Sequence, residues 1–184
     1  CKIPFHVNFD EVNLRFYVRR FDGKEWRRGV VFVKEVVPRW AIAFVARTLY
    51  NEQYVALKMR SEVVLPTQEK SGTLDYAWKS EGNWYSMSAS VEGEPQFADP
   101  TSVEFFVTEH YWGYCRQKDG STVEYQVEHP PWRVWRATEA KLVCDVSRFY
   151  GDRFAACLAG RPTSAFVAEG SGVSVRKGLR LDYR

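Results

Sequence analysis

The chain has 184 residues, 45% of them apolar and 16% aromatic, with a formal net charge of +3. That length fits one domain with a core of its own, and the apolar content excludes a disordered chain. The basic residues are scattered, without the concentrated stripe of a nucleic-acid binder, so weak attraction to small anions is all the charge supports.

From the N-terminus, VNLRFYVRR alternates as a strand, with Val12, Leu14, Phe16 and Val18 inward and Asn13, Arg15, Tyr17 and Arg19 on the other face. Asp22-Gly23 signals a turn. GVVFVKEVV, apolar on both faces, predicts a central strand. Pro38 suits a helix start, and PRWAIAFVARTLY predicts a short helix with Ile42, Val45, Ala46 and Leu49 on one stripe and Trp40 and Phe44 opposite. A helix apolar nearly all round is expected to be buried, which makes Arg47 conspicuous, because a guanidinium in a core needs a partner such as Glu52 or Glu109.

The next segment, Tyr54 to Arg60, predicts one strand, with Val55, Leu57 and Met59 on one face and Tyr54, Ala56, Lys58 and Arg60 on the other. TLDYAWK and NWYSMSASVE flank a hairpin turn at Glu81-Gly82-Asn83. DPTSVEFFVTEH predicts a helix with a capping box of Thr101 and Glu104 and a stripe of Val103, Phe106, Val107 and His110. YWGYCRQK and STVEYQVEH predict a hairpin around Asp119-Gly120; a type I′ turn there would pair Tyr114 with Tyr125 and Trp112 with Val127. Pro130 and Pro131 end that ladder. A strand near 134–143, a helical piece near 146–158 and strands near 164–168 and 173–178 complete the chain.

This order predicts a single α+β domain over 1–184, mainly antiparallel β, built as a curved sheet or cone-like barrel with two or three short helices. Cys1, Cys115, Cys144 and Cys157 lie far apart, as do His6, His110 and His129, with no CxxC pair and no metal spacing. Reduced thiols in a cytoplasmic protein are the reading. No apolar run spans a bilayer, and GxSxG, P-loop and GxGxxG motifs are missing. No cofactor, metal, nucleic acid or membrane partner is therefore expected. The start at Cys1 reads as a fragment or a processed form.

VNLRFYV, GVVFVKEVVPRWAIAFVARTLYNEQYVALKMR, TEHYWGY and VEHPPW together resemble the uncharacterised YqjF-like family, a bacterial domain of unknown function similar in fold to acetoacetate decarboxylase. The resemblance runs through nearly the whole chain. It implies a cone-like β architecture around a cavity, with a strand-rich N-terminal portion ahead of VNLRFYV in family members; either that portion is missing from this sequence or this chain closes its sheet differently. The strand left at the edge would then invite a homo-oligomer. Acetoacetate decarboxylase activates a lysine by a neighbouring cation in a desolvated pocket. Laid on this chain, its Gly-Arg-Glu arginine matches Arg47, but its proline falls at Gln53 and its lysine pair near Tyr54 and Val55. Decarboxylation by that route is not inherited.

Arg47, Tyr54, Lys58 and Arg60 are thus the candidate ligand-binding residues, expected to hold a small organic anion. Arg47 would grip a carboxylate bidentately. Lys58, with Arg60 as its like-charge neighbour, and Glu109 are the weaker catalytic candidates, for a diverged lyase-type enzyme with Lys58 as displaced nucleophile and Glu109 as proton donor or acceptor. A structural module associating through an exposed sheet edge is the third class.

Overall fold

The computed structural model describes residues 9–181, so Cys1 and His6 lie outside the described residues, as does the side chain of Leu49. Two units emerge, one formed by residues 9–56, 109–130 and 171–181, the other by 57–108 and 131–170.

The first unit holds a seven-stranded sheet of β1 (Val12–Phe21), β2 (Trp26–Val37), β3 (Tyr54–Ala56), β8 (Trp112–Arg116), β9 (Thr122–Glu128), β12 (Ser174–Val175) and β13 (Leu179–Leu181). The run GVVFVKEVV earns its central place in β2. That strand pairs antiparallel with β1 on one side and parallel with β3 and β8 on the other. Val36 and Val37 are fully buried, and Glu35 between them and the preceding valines is buried as well.

Two departures from the predicted patterns matter here. Opposite Leu14 and Arg15, Val33 of β2 is left as the extra residue of a bulge that shifts the β1–β2 pairing by one, and Phe16 is 48% exposed, against the inward place the alternation gave it. In the β8–β9 hairpin, Tyr114 pairs with Glu124 and Trp112 with Gln126, one residue away from the predicted register. The cause is the loop. Gln117 and Ser121 close it by a backbone hydrogen bond of 2.7 Å, and Gly120 takes a positive φ of 88°, so five residues turn the chain where two were expected. A slip of one residue exchanges the faces of a strand. Tyr125 therefore shares its face with Gly113, and Glu124 shares its own with Tyr114.

After β2 comes α1 (Trp40–Val45), starting two residues beyond Pro38, then a π-helical turn at Ala46–Tyr50. Ile42 and Ala43 pack on Val37 and Tyr54. Trp40 and Phe44 do not: they are 72% and 60% exposed and touch edge to face, so the helix is amphipathic rather than buried all round. Arg47 is consequently exposed, and among the described residues it has no ion pair with Glu52 or Glu109.

The second unit holds a six-stranded sheet of β4 (Lys58–Val64), β5 (Gly72–Ser80), β6 (Asn83–Val91), β7 (Gln96–Phe97), β10 (Arg133–Val143) and β11 (Phe166–Ala168), in the order β11-β10-β6-β5-β4 with β7 beside β10. The β5–β6 turn is the predicted one, with Glu81 and Gly82 both at positive φ between paired Ser80 and Asn83. Trp78, fully buried, packs against Tyr85 and against Phe149 of α3 (Val146–Tyr150) at centroid distances of 6.1 and 5.9 Å. Gly151 separates α3 from α4 (Asp152–Leu158), which divides the single predicted helical piece.

At α2 (Val103–Thr108) the predicted capping box does not form. Ser102 accepts from the Phe105 amide at 3.1 Å, Asp99 holds Thr101, and Glu104 instead accepts from Ser164 at 2.8 Å. The helix buries Glu104 and Thr108, leaving Val103 and Phe106 of the predicted apolar stripe exposed. The fold is thus α+β, mostly antiparallel, in two sheets with four short helices, and neither sheet closes on itself among the described residues.

Candidate functional site

The predicted strand from Tyr54 to Arg60 is two strands. Tyr54 to Ala56 lies parallel to β2 in the first unit, and Lys58 to Val64 pairs with β5 in the second. The four ligand-binding candidates accordingly divide, Arg47 and Tyr54 in one unit, Lys58 and Arg60 in the other.

In the first unit, Arg47 lines a groove of about 720 Å³. The π-turn supplies Arg47 and Thr48, and the segment that follows supplies Asn51, Glu52 and Gln53. Lys118, in the β8–β9 loop, brings a second exposed cation, and Trp40 and Phe44 form an aromatic wall. π-turns insert one residue into a helix and recur at functional sites. This one is pinned: Asn51 takes a left-handed φ of 56°, donates its side-chain amide to the Arg116 carbonyl at 2.7 Å, and accepts from the Cys115 thiol at 3.3 Å. The Glu52 amide reaches back to the Ala46 carbonyl at 3.2 Å. Lys118 carries no signal in the sequence beyond being a cation in a turn, which is why pattern reasoning missed it.

Tyr54 turns elsewhere. Its side chain packs on the Val37–Ile42–Ala43 cluster, and its hydroxyl reaches Glu35 and lies 3.4 Å from the Glu11 carboxylate. Glu52 completes a trio of acids there, with Cys115 of β8 and Tyr125 of β9 beside its carboxyl. Glu35 is only 3% exposed, and among the described residues its buried Oε2 has no hydrogen-bond partner. Burial, then the charges of Glu52 and Glu11, push the Glu35 carboxyl up to about 9. Burial likewise raises Glu11 and Glu52, drives the Tyr54 and Tyr125 phenols well above their usual range, and pushes the Cys115 thiol up to about 12. Arg15 partly offsets Glu11; among the described residues neither Glu35 nor Glu52 has an ion pair. The group is an acidic, proton-holding interior, and sequence patterns did not expose it because its members come from four strands and from the segments just ahead of β1 and β3.

Glu109 stands apart from that interior, accepting from the Tyr111 hydroxyl, while the neighbouring His110 sets its ring edge-on to Tyr17 at 5.4 Å. Elsewhere in this unit the buried carboxylate of Glu124 is held by Arg20 at 3.0 Å and Arg27 at 2.7 Å, and Arg27 also stacks on Trp112.

In the second unit, Lys58 lies directly opposite Lys79 across β4–β5, on the same face as Trp84. Arg60, on that face too, stacks on Trp84 with its guanidinium carbon 4.6 Å from the ring. Lys58 and Arg60 are both exposed. A separate cleft of about 410 Å³ in this unit is lined by Glu92, Glu94, Asp99 and Glu104 with Arg136, a balance that disfavours anions. Cys115, Cys144 and Cys157 form no disulfide among the described residues, no described group of acids, histidines and cysteines has the geometry to hold a metal ion, and no helix among the described residues is long and apolar enough to cross a membrane.

A family model, DUF2071, described as an uncharacterized conserved protein, matches residues 1–172. No curated protein and no solved structure matches the chain.

Proposed function

The chain belongs to the DUF2071 family of uncharacterized conserved proteins, and we propose that it binds a small organic anion in the groove beside the π-turn. The observation that carries this reading is the meeting of Arg47 and Lys118, both exposed, on one groove walled by Trp40 and Phe44. A guanidinium takes a carboxylate in a fork, an ammonium adds a point charge, and aromatic faces take the apolar remainder. Cysteines spread far apart without a disulfide among the described residues suit a reducing compartment, the cytoplasm.

The test is a thermal-shift screen of short carboxylates followed by calorimetry. A ligand of this groove stabilises the chain by mass action, and Arg47→Ala removes that shift while leaving the unliganded melting point in place. A shift that survives both Arg47→Ala and Lys118→Ala overturns the assignment.

The lyase-type reading rests on Lys58. Its opposition to Lys79 is the like-charge neighbour that a Schiff-base lysine uses, although both are open to water. Borohydride trapping with β-keto acids, read by intact mass, checks it: no adduct, or one that persists in Lys58→Ala, removes Lys58 as nucleophile.

A further inference from the structure

We propose that Glu52 serves the groove as an acid–base group, moving a proton to and from the carbon next to (α to) the keto group of a bound short-chain oxo acid, with Glu35 as the neutral acid behind it. The inference rests on the anion-binding reading and names the substrate class of the same groove. Glu52 is the residue common to both features: it lines the groove, and its carboxyl belongs to the buried acidic interior. Its backbone is fixed from two sides, by the π-turn through Ala46 and by the left-handed Asn51 tied to β8.

The groups facing Glu52 come from every neighbouring element. They are Glu11 just ahead of β1, Glu35 on β2, Cys115 on β8 and Tyr125 on β9, with Arg47 and Lys118 on the groove side. The independent sign of a proton at this place is the Glu35 oxygen. An orphaned, fully enclosed Oε2 is costly for a carboxylate and tolerable for a neutral acid. With Glu35 keeping its own proton, Glu52 is the carboxyl of the two left to act as base.

The step balances without an oxidant or a cofactor. Glu52 takes the α-hydrogen; the C–H electron pair becomes the new C=C bond, and the carbonyl pair moves onto oxygen, giving an enolate. Arg47 and Lys118 offset the added negative charge on the ligand. Return of the proton from Glu52 restores the oxo acid, and in heavy water a deuteron returns in its place. The ligand must therefore carry a carboxylate for the two cations and an acidic C–H beside a carbonyl.

The experiment incubates the full chain in heavy water with pyruvate, 2-oxobutyrate or 4-oxopentanoate. Proton NMR follows loss of the α-proton signals, and ligand-observed saturation transfer on the same samples reports binding. The expected result is exchange at least about a hundredfold faster than in buffer for one of the three, the lower range of general acid–base catalysis. Glu52→Gln should return exchange to the buffer rate while saturation transfer persists. Glu52→Asp, which keeps the charge and shortens its reach, should exchange more slowly than wild type, and so serves if the glutamine variant does not fold. Glu35→Gln should displace the pH profile of exchange. Binding without exchange, or exchange undiminished in either Glu52 variant, overturns this inference and leaves the anion site standing. Failure of all three acids to bind overturns the inference and the anion-site reading together.

Discussion

Gly113 lies directly across β8–β9 from Tyr125, and a Cβ at Gly113 would come within 2.2 Å of the phenol ring. The bare backbone there is what lets the Tyr125 ring lie over the sheet and bring its hydroxyl to Glu52. Gly113→Ala must push the ring away. Overpacking of this kind costs about 1–3 kcal/mol, so its urea midpoint should fall while Gly23→Ala, at an open turn, reports only the strain of a positive φ. A Gly113→Ala chain as stable as wild type would show that Tyr125 is not so held.

The Glu35 carboxyl, raised from 4.5 to about 9, makes stability fall with rising pH. Between those values the folded chain keeps a proton that the unfolded chain has released, so ν_U − ν_N is negative and the free energy of unfolding declines, by at most about 1.4 kcal/mol per pH unit for one proton. The contribution is fully present below about 4.5 and lost as pH climbs through about 9. Glu35→Gln, a neutral amide of similar shape, should flatten that decline in urea titrations from pH 5 to 9. An unchanged slope would place the buried proton elsewhere.

Glu124 is buried and takes hydrogen bonds from Arg20 and Arg27. Glu124→Gln keeps the size and removes the charge, and hydrogen bonds to charged groups are worth about 1.5–3 kcal/mol. Chemical denaturation should register a loss of about 2 kcal/mol, larger than for Glu81→Gln, whose pair with Arg148 is exposed at both ends.

Lys58 and Lys79 face each other as like charges, an arrangement that destabilises a sheet by a few tenths of a kcal/mol. Lys58→Glu should therefore raise the urea midpoint slightly at low ionic strength, by about 0.5 kcal/mol, and the gain should shrink in high salt. A loss of stability at low salt would mean that Lys58 has a favourable contact outweighing the repulsion.

Trp40 is mostly exposed, so Trp40→Ala should change unfolding free energy by no more than about 0.5 kcal/mol. It should nevertheless weaken carboxylate binding measured by calorimetry, because the aromatic wall of the groove is lost.

Periodicity predicted the elements well where one face is buried: β2, the β5–β6 hairpin and β10 all lie where their patterns put them. It erred where a single residue decides. The bulge at Val33, the five-residue β8–β9 loop and the π-turn each break the regular period, and the loop puts Tyr125 on a face that the predicted register did not assign. The helix errors have another cause. Ser102 competed with Thr101 for the cap, and Glu104 found Ser164, a partner sixty positions away in the chain that no local pattern announces. Arg47 was legible as an unusual cation, yet its setting depended on whether Trp40 and Phe44 faced protein or water. The acidic interior was invisible for the same reason: Glu11, Glu35 and Glu52 are ordinary residues until topology gathers them.

The inserted residue of Ala46–Tyr50 also sets an angle. Each residue of a regular helix advances the chain by about 100°, so deleting one position in this turn would restore ideal winding while swinging Glu52 and the start of β3 about a third of a revolution out of phase. What Glu52 can touch is therefore governed by arithmetic in the main chain as much as by its own chemistry, and a one-codon deletion could separate it from Tyr125 with every polar side chain of the region still present.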